Sequence, residues 1–264
     1  MVQLRNNPLS KGAWRIRSVE YKVGLLQLGM IPMGKQQPAH LPLVVIASEK
    51  EGIGFVRRLG LRRDASVRLP GLSREQEAGL YHGTQLNLAI TGVLEHNMVA
   101  ATSLVLLRLG HEVPFVVNFG AVGCYQQRHA YSCPTVGDTV LVRKVCRFDV
   151  DDNVHWAPPL ALSTPDDDLP AVVCVTGSRY STEYDRTSPY FPVDGQVEDM
   201  ELYGLAVLLQ TLDIPLLSVK LVVNIVSTDG REQMRQNLSL VRQHAESVLL
   251  KVLEKHKRLA ERGN

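Results

Sequence analysis

The sequence predicts an α/β fold: one domain of three α/β/α layers around a central mixed, mostly parallel twisted sheet. Three observations carry that prediction. Short apolar runs recur at 41–47, 114–119, 171–176 and 216–226, the pattern of strands buried on both faces. Segments with apolar residues at helical spacing lie between them, so strands and helices alternate. No second core, internal repeat or low-complexity tract interrupts the pattern.

Residues 1–39 form an expected N-terminal extension. Arg5, Lys11, Arg15, Arg17, Lys22 and Lys35 face a single acid, Glu20. An organellar transit segment has such a balance, but it is usually richer in Ser, and 21–28 reads as a short strand. The domain spans 40–260. Its first strand, 41–47, runs into Ser48, and Ile53, Phe55, Val56 and Leu59 then mark a helix. Glu49 and Glu51 therefore lie in a strand-to-helix turn. The helix dipole accounts for Glu49. Ligands of open α/β sheets collect outside the carboxyl ends of strands, which makes Glu51 a candidate site residue.

Residues 60–84, with Arg62, Arg63, Arg68 and Arg74, read as hairpin or loop. A strand at 85–90 ends at Thr91-Gly92, and a helix at 97–108 is capped by Gly110. The strand at 114–119 leads into Gly120-Ala121-Val122-Gly123, whose glycines let backbone approach a ligand closely. Their spacing fits neither a Walker nor a dinucleotide loop. A turn and strand at 136–142 and a surface loop at 149–170 precede the strand at 171–176. Gly177-Ser178-Arg179-Tyr180 follows. Glu198, Asp199 and Glu201 crowd the expected mouth of a helix over 198–212, where packing alone asks for no acid cluster. A strand at 216–226 and a helix at 231–258 close the chain. Leu238, Val241, Ala245, Val248, Leu249 and Val252 form that helix's core stripe.

The net charge of +2 and the lack of a basic stripe with interleaved aromatics argue against nucleic-acid binding. No apolar run approaches the length of a membrane span. Cys124, Cys133, Cys146 and Cys174 have no metal-ligand spacing and read as reduced thiols of a cytoplasmic protein. Neither a metal nor a cofactor is expected.

Several pieces, in order across 41–255, carry a family pattern: Val44 to Glu51, Thr91-Gly92 before Val99-Ala100-Ala101, Asn118-Phe119-Gly120-Ala121-Val122-Gly123, Val136-Gly137-Asp138, Glu198-Asp199-Met200-Glu201, and Ile214-Pro215 through Asn224. The chain thereby resembles the nucleoside phosphorylase/nucleosidase superfamily, most closely the methylthioadenosine/S-adenosylhomocysteine nucleosidases. The resemblance implies cleavage of a purine ribonucleoside at its N-glycosidic bond, without a cofactor, by a homo-oligomer, with a dimer favoured. It implies that Glu51 activates water, that Glu201 grips the ribose hydroxyls and that Met200 packs on the sugar. By the same resemblance Tyr180 stacks on the base, and Gly120, Ala121 and Gly123 floor the ribosyl site.

Related phosphorylases hold phosphate with an Arg and a Ser where this chain has Asn118 and Ala121, which favours water as the nucleophile. Arg57, Arg143 and Arg179 remain as distant cations. Two positions depart from the nucleosidase pattern. Asn224 stands where the family places its general acid Asp, and Ser178 replaces a second Asp. Three readings of Asn224 follow: a 6-oxopurine base, recruitment of Asp229 as the acid, or a catalytically impaired nucleoside binder.

Overall fold

The computed structural model describes residues 41–262 except 68, 70–78, 111–112, 126–132, 149–156, 165–168, 188–190, 193 and 228. Side chains are described for the same residues apart from 183–184, 240–246 and 256–262. The N-terminal extension, Arg68 and Arg74, and Val241 and Ala245 of the predicted helix stripe therefore fall outside this description.

Elements follow the chain as β1 (Leu43–Ile46), α1 (Glu49–Arg58), β2 (Arg62–Arg63), β3 (Gly79–His82), β4 (Asn87–Ile90) and α2 (Glu95–Arg108). Then come β5 (Val116–Cys124), β6 (Thr139–Arg147), β7 (Leu160–Ala161), β8 (Ala171–Thr176), α3 (Glu183–Thr187), β9 (Val197–Asp199), α4 (Leu202–Thr211), β10 (Leu216–Ile225) and α5 (Gly230–Arg262). Pairing joins these strands into one mixed sheet. Alternate residues of its strands feed two cores. Leu43, Val45 and Val116 pack with α2 and α4 through Met98, Val105, Leu202, Leu205 and Leu209. Val44, Ile46, Val117, Phe119 and Leu221 pack with α1 and α5 through Phe55, Leu249 and Val252. Helices thus cover both faces, as a sheet apolar on both sides requires.

β5 organises the sheet. Along one edge its first half pairs with β1, parallel, and its last two residues pair with β9, antiparallel. Along the other edge it pairs in parallel with nearly all of β10. β10 continues through β6 and β8 to β9. The strands β5–β10–β6–β8–β9 therefore close on themselves, while β1, β4, β3 and β2 extend as an open wing. The glycine run expected to follow this strand lies inside it. Gly120 and Ala121 face Lys220 and Leu221 in register, so backbone pairing holds the run extended.

Part of 60–84 is the antiparallel pairing of β2 with β3, in keeping with the hairpin reading of that stretch. The helix expected over 198–212 starts only at Leu202, because Val197–Asp199 form β9 between β5 and β8. Two-sided strand pairing outweighs the helical signal of the acids there. Among the described residues, no helix is long and apolar enough to cross a membrane.

Candidate active site

At the carboxyl ends of β1, β5, β9 and β10 lies a cavity of about 540 Å³. β1 has β4 on one side and β5 on the other, so the chain turns off β1 where the strand order reverses, the usual place for a ligand crevice. Glu51, Ala121, Gly123, Tyr180, Met200, Glu201 and Asn224 all line the cavity. Two predicted residues are placed otherwise. Gly120 lies beneath the lining, where a Cβ would stand 3.5 Å from Glu51 Oε1 and 3.9 Å from Lys220 Nζ. Asp229 is exposed and outside the lining, and its carbonyl accepts the Glu232 and Gln233 N–H groups at the start of α5.

Glu51 is 5% exposed. Its Oε2 accepts the Ser48 N–H (3.1 Å) and the Ser48 hydroxyl (2.8 Å), which starts α1 with the reciprocal pattern of a capping box. Its Oε1 accepts the Ala121 N–H at 2.8 Å. The cap and the tie to β5 fix one carboxylate between two elements that face the cavity. Glu49 also lines it, at the half-exposed start of α1.

Glu201, 8% exposed, immediately precedes α4. Its Oε1 accepts the Leu94 N–H at 3.0 Å and its Oε2 the Met200 N–H at 3.3 Å. Leu94 has φ +83°, a region that disfavours any side chain, and that strained turn presents its N–H to Glu201. Burial and the nearby Asp199 carboxylate push Glu201 up to about 7, although Lys220 and the Leu94 N–H oppose the rise.

Asn224 is 3% exposed, and its Nδ2 donates to the Ile225 carbonyl at 3.1 Å. The β5–β10 register shifts between Val222 and Asn224, and the neighbours Val223 and Asn224 both reach the cavity, which plain alternation would prevent. A Cβ on either Gly123 or Gly230 would come within 3.0 Å of the Asn224 Nδ2, so both glycines make room for this amide. Tyr180 lies under the Arg231 guanidinium, 5.5 Å from Cζ to ring centre, with its hydroxyl 3.2 Å from the Met234 sulfur.

Sequence reasoning missed Lys220 and read its partner, Asp199, as part of a helix start. Lys220, 2% exposed in the middle of β10, donates to Asp199 Oδ2 at 2.8 Å. Asp199 also accepts the Thr176 hydroxyl (2.6 Å) and the Leu202 N–H (3.2 Å). Burial acts to lower the Lys220 pKa, but Asp199 and other neighbouring acidic groups, Glu201 among them, outweigh it and raise it. Glu198 accepts the Tyr125 hydroxyl at 2.6 Å and the Ser181 N–H at 3.0 Å. Glu198 and Asp199 are thus buried strand acids with fixed partners, not acids in the first turn of a helix. Only the Leu202 bond of Asp199 retains a helix-start role. A lysine inside an apolar strand run was the available signal, since such a residue almost always has a buried counter-charge.

The cations considered for phosphate are elsewhere. Arg57 and Arg143 are exposed and Arg179 makes two bonds to Asp185, and none lines the cavity. The Asn118 side chain is likewise spent internally, donating to the Val45 carbonyl and accepting from Ser218.

Two predictions follow from these charges. Asp199→Asn or Lys220→Met alone should cost about 3–5 kcal/mol of stability by stranding a buried charge. The double variant should cost clearly less than the sum in urea unfolding, whereas additive costs would contradict the pairing. The second concerns pH. The folded chain holds the Glu201 proton to about pH 7, against an ordinary value of 4.5. Wild type should therefore lose stability relative to Glu201→Gln as pH rises from about 4.5 to 7, and little more above that. A pH-independent difference between the two proteins would contradict it.

No protein-family model matches the sequence, and no curated protein does. Solved structures do match. The apo 5′-methylthioadenosine nucleosidase of Arabidopsis thaliana superposes with a TM-score of 0.70 at 22% identity, over 83% of this chain and 96% of that one. The methylthioadenosine/S-adenosylhomocysteine nucleosidase of Neisseria meningitidis, in complex with methylthio-immucillin-A, gives 0.64 at 17% identity, over 83% and 99%. The Helicobacter pylori enzyme with butyl-thio-DADMe-Immucillin-A gives 0.67 at 14%, over 83% and 100%. The chain has the fold of the methylthioadenosine/S-adenosylhomocysteine nucleosidases.

Proposed function

We propose that the protein is a purine nucleosidase that hydrolyses the N-glycosidic bond of a purine ribonucleoside. The observation that carries this reading is the convergence of two buried carboxylates, Glu51 and Glu201, and the Asn224 amide on one cavity. Cleavage of such a bond passes through a ribosyl cation. A fixed base beside C1′ can take a proton from the attacking water, and Glu51 is held by three donors for that task. Glu201 grips the 2′- and 3′-hydroxyls, with Met200 against the sugar. Tyr180 stacks on the base. Asn224 keeps one amide hydrogen beyond its bond to Ile225 and donates it to N7 as charge develops on the departing purine.

Water suits this floor better than phosphate does. Glu51 and Glu201 flank the space beneath the sugar, the Ala121 N–H is already taken by Glu51, and Lys220 is bound to Asp199. A phosphate dianion there would meet carboxylates and few donors. The substrate base is a 6-oxopurine or an adenine, and the amide at Asn224 favours the former.

Asn224 also favours a second reading, a nucleoside binder of low turnover, since an amide has no proton to deliver. Incubation with a panel of purine nucleosides, with and without phosphate, separates the readings by free base released. Glu51→Gln should lower release by about 10²–10⁴-fold with the fold intact. Strict dependence on phosphate would replace hydrolysis with phosphorolysis, and tight binding without release would select the binder.

The proposal includes a homodimer. Leu104 and Leu107 of α2 are 40% and 63% exposed, and Val207 of the adjoining α4 is 42% exposed. These apolar positions suit burial against a second copy. Sedimentation at micromolar concentration should give twice the 29.3 kDa chain mass, and a single-chain mass would contradict the dimer.

A further inference from the structure

Charges around the cavity are sorted by depth. Glu51, Glu198, Asp199 and Glu201 are buried, and each already accepts hydrogen bonds from the protein. Lys50, Arg231 and Arg235 line the same cavity and are exposed, with one half-exposed acid, Glu49, beside Lys50. The cations therefore form a rim above an acidic floor.

Helix stability does not account for this rim. Arg231 and Arg235 stand in the first two turns of α5, where the helix dipole favours acids over bases. They alternate with Met234 and Leu238 at the i, i+3, i+4, i+7 spacing of one helix face, and all four line the cavity. Protein partners account for little more of the two arginines. Arg235 meets Glu232 at 3.5 Å with the side chains 78% and 61% exposed, a contact that water and salt screen. Arg231 lies over the Tyr180 ring, and a guanidinium on an aromatic face keeps its N–H edge for an anion. The rim begins next to the proposed base site, because Gly230, one residue before Arg231, packs against the Asn224 amide.

We propose that the cavity takes an anionic nucleoside, with the ribose on the acidic floor and a phosphate or carboxylate carried beyond the sugar held by Arg231, Arg235 and Lys50. This rests on the nucleoside reading of the site. The floor repels an anion placed deep, so the charged group has one place to go, and guanidinium forks match both anions.

Isothermal titration of the Glu51→Gln protein, in which turnover is suppressed, tests the assignment. The probes are adenosine, adenosine 5′-monophosphate and adenosine 5′-carboxylate, with inosine and its 5′-monophosphate as the 6-oxopurine pair. At low salt, at least one anionic member should bind about tenfold tighter than its neutral nucleoside. The advantage should shrink in about 0.3 M salt and in the Arg231→Gln/Arg235→Gln background. The phosphate and carboxylate arms show which anion the rim holds, and a gain with either supports the proposal. Neutral nucleosides that bind as tightly as both anions would overturn it while leaving the nucleoside reading intact. An anionic advantage unchanged in the double arginine variant would also overturn it. Failure of every probe to bind would overturn the nucleoside reading and this proposal together.

Discussion

The ion pair between Lys220 and Asp199 is the constraint on which the site depends. The Lys220 side chain is 2% exposed and the Asp199 side chain 0%. Neither charge is tolerable alone in that setting. Lys220 belongs to β10 and Asp199 to β9, which lie on opposite edges of β5, so the pair spans that strand. Gly120 lies in register with Lys220, and with no side chain of its own it leaves the ammonium close to Glu51. Removing either charge would therefore disturb two strands and the electrostatics of Glu51 and Glu201.

The same pair bears on how Glu201 behaves. Asp199 raises its proton affinity and Lys220 lowers it, with burial the largest influence. The balance puts Glu201 near neutrality, while two backbone N–H groups hold the carboxylate in place. Positioning comes from backbone N–H groups, and titration comes first from burial and then from the charges beneath. Such a division lets a group be fixed in space without being fixed in charge.

Much of the fold was legible in the sequence. The strands at 171–176 and 216–226 and the long final helix stand within a residue or a few of their predicted bounds, because each is a long or strongly apolar signal. The Met200-Glu201 placement at the cavity was readable from an acid cluster that helix packing did not need. What escaped reading depends on partners distant in sequence. Whether Glu198 and Asp199 begin a helix or form a strand is decided by β5 and β8, which no local pattern reveals. Lys220 lies 21 positions from its counter-ion, and Leu94 lies 107 from the carboxylate its N–H meets, so neither pairing has a local signature.

The closed ring has a consequence for synthesis. β5 ends at Cys124, but the strand that covers its second edge starts only at Leu216. As the chain leaves the ribosome, β5 can dock on β1 early, while the rest of its hydrogen-bonding groups wait for roughly the last quarter of the protein. Long-range closure of this kind is slow, and an uncovered strand edge invites pairing with other chains in the interval. The buried lysine of β10 then arrives at an acid already made. The last strand to emerge thus brings the charge that completes the site, and a chain cut short of Leu216 would expose a strand edge and bury Asp199 without its cation.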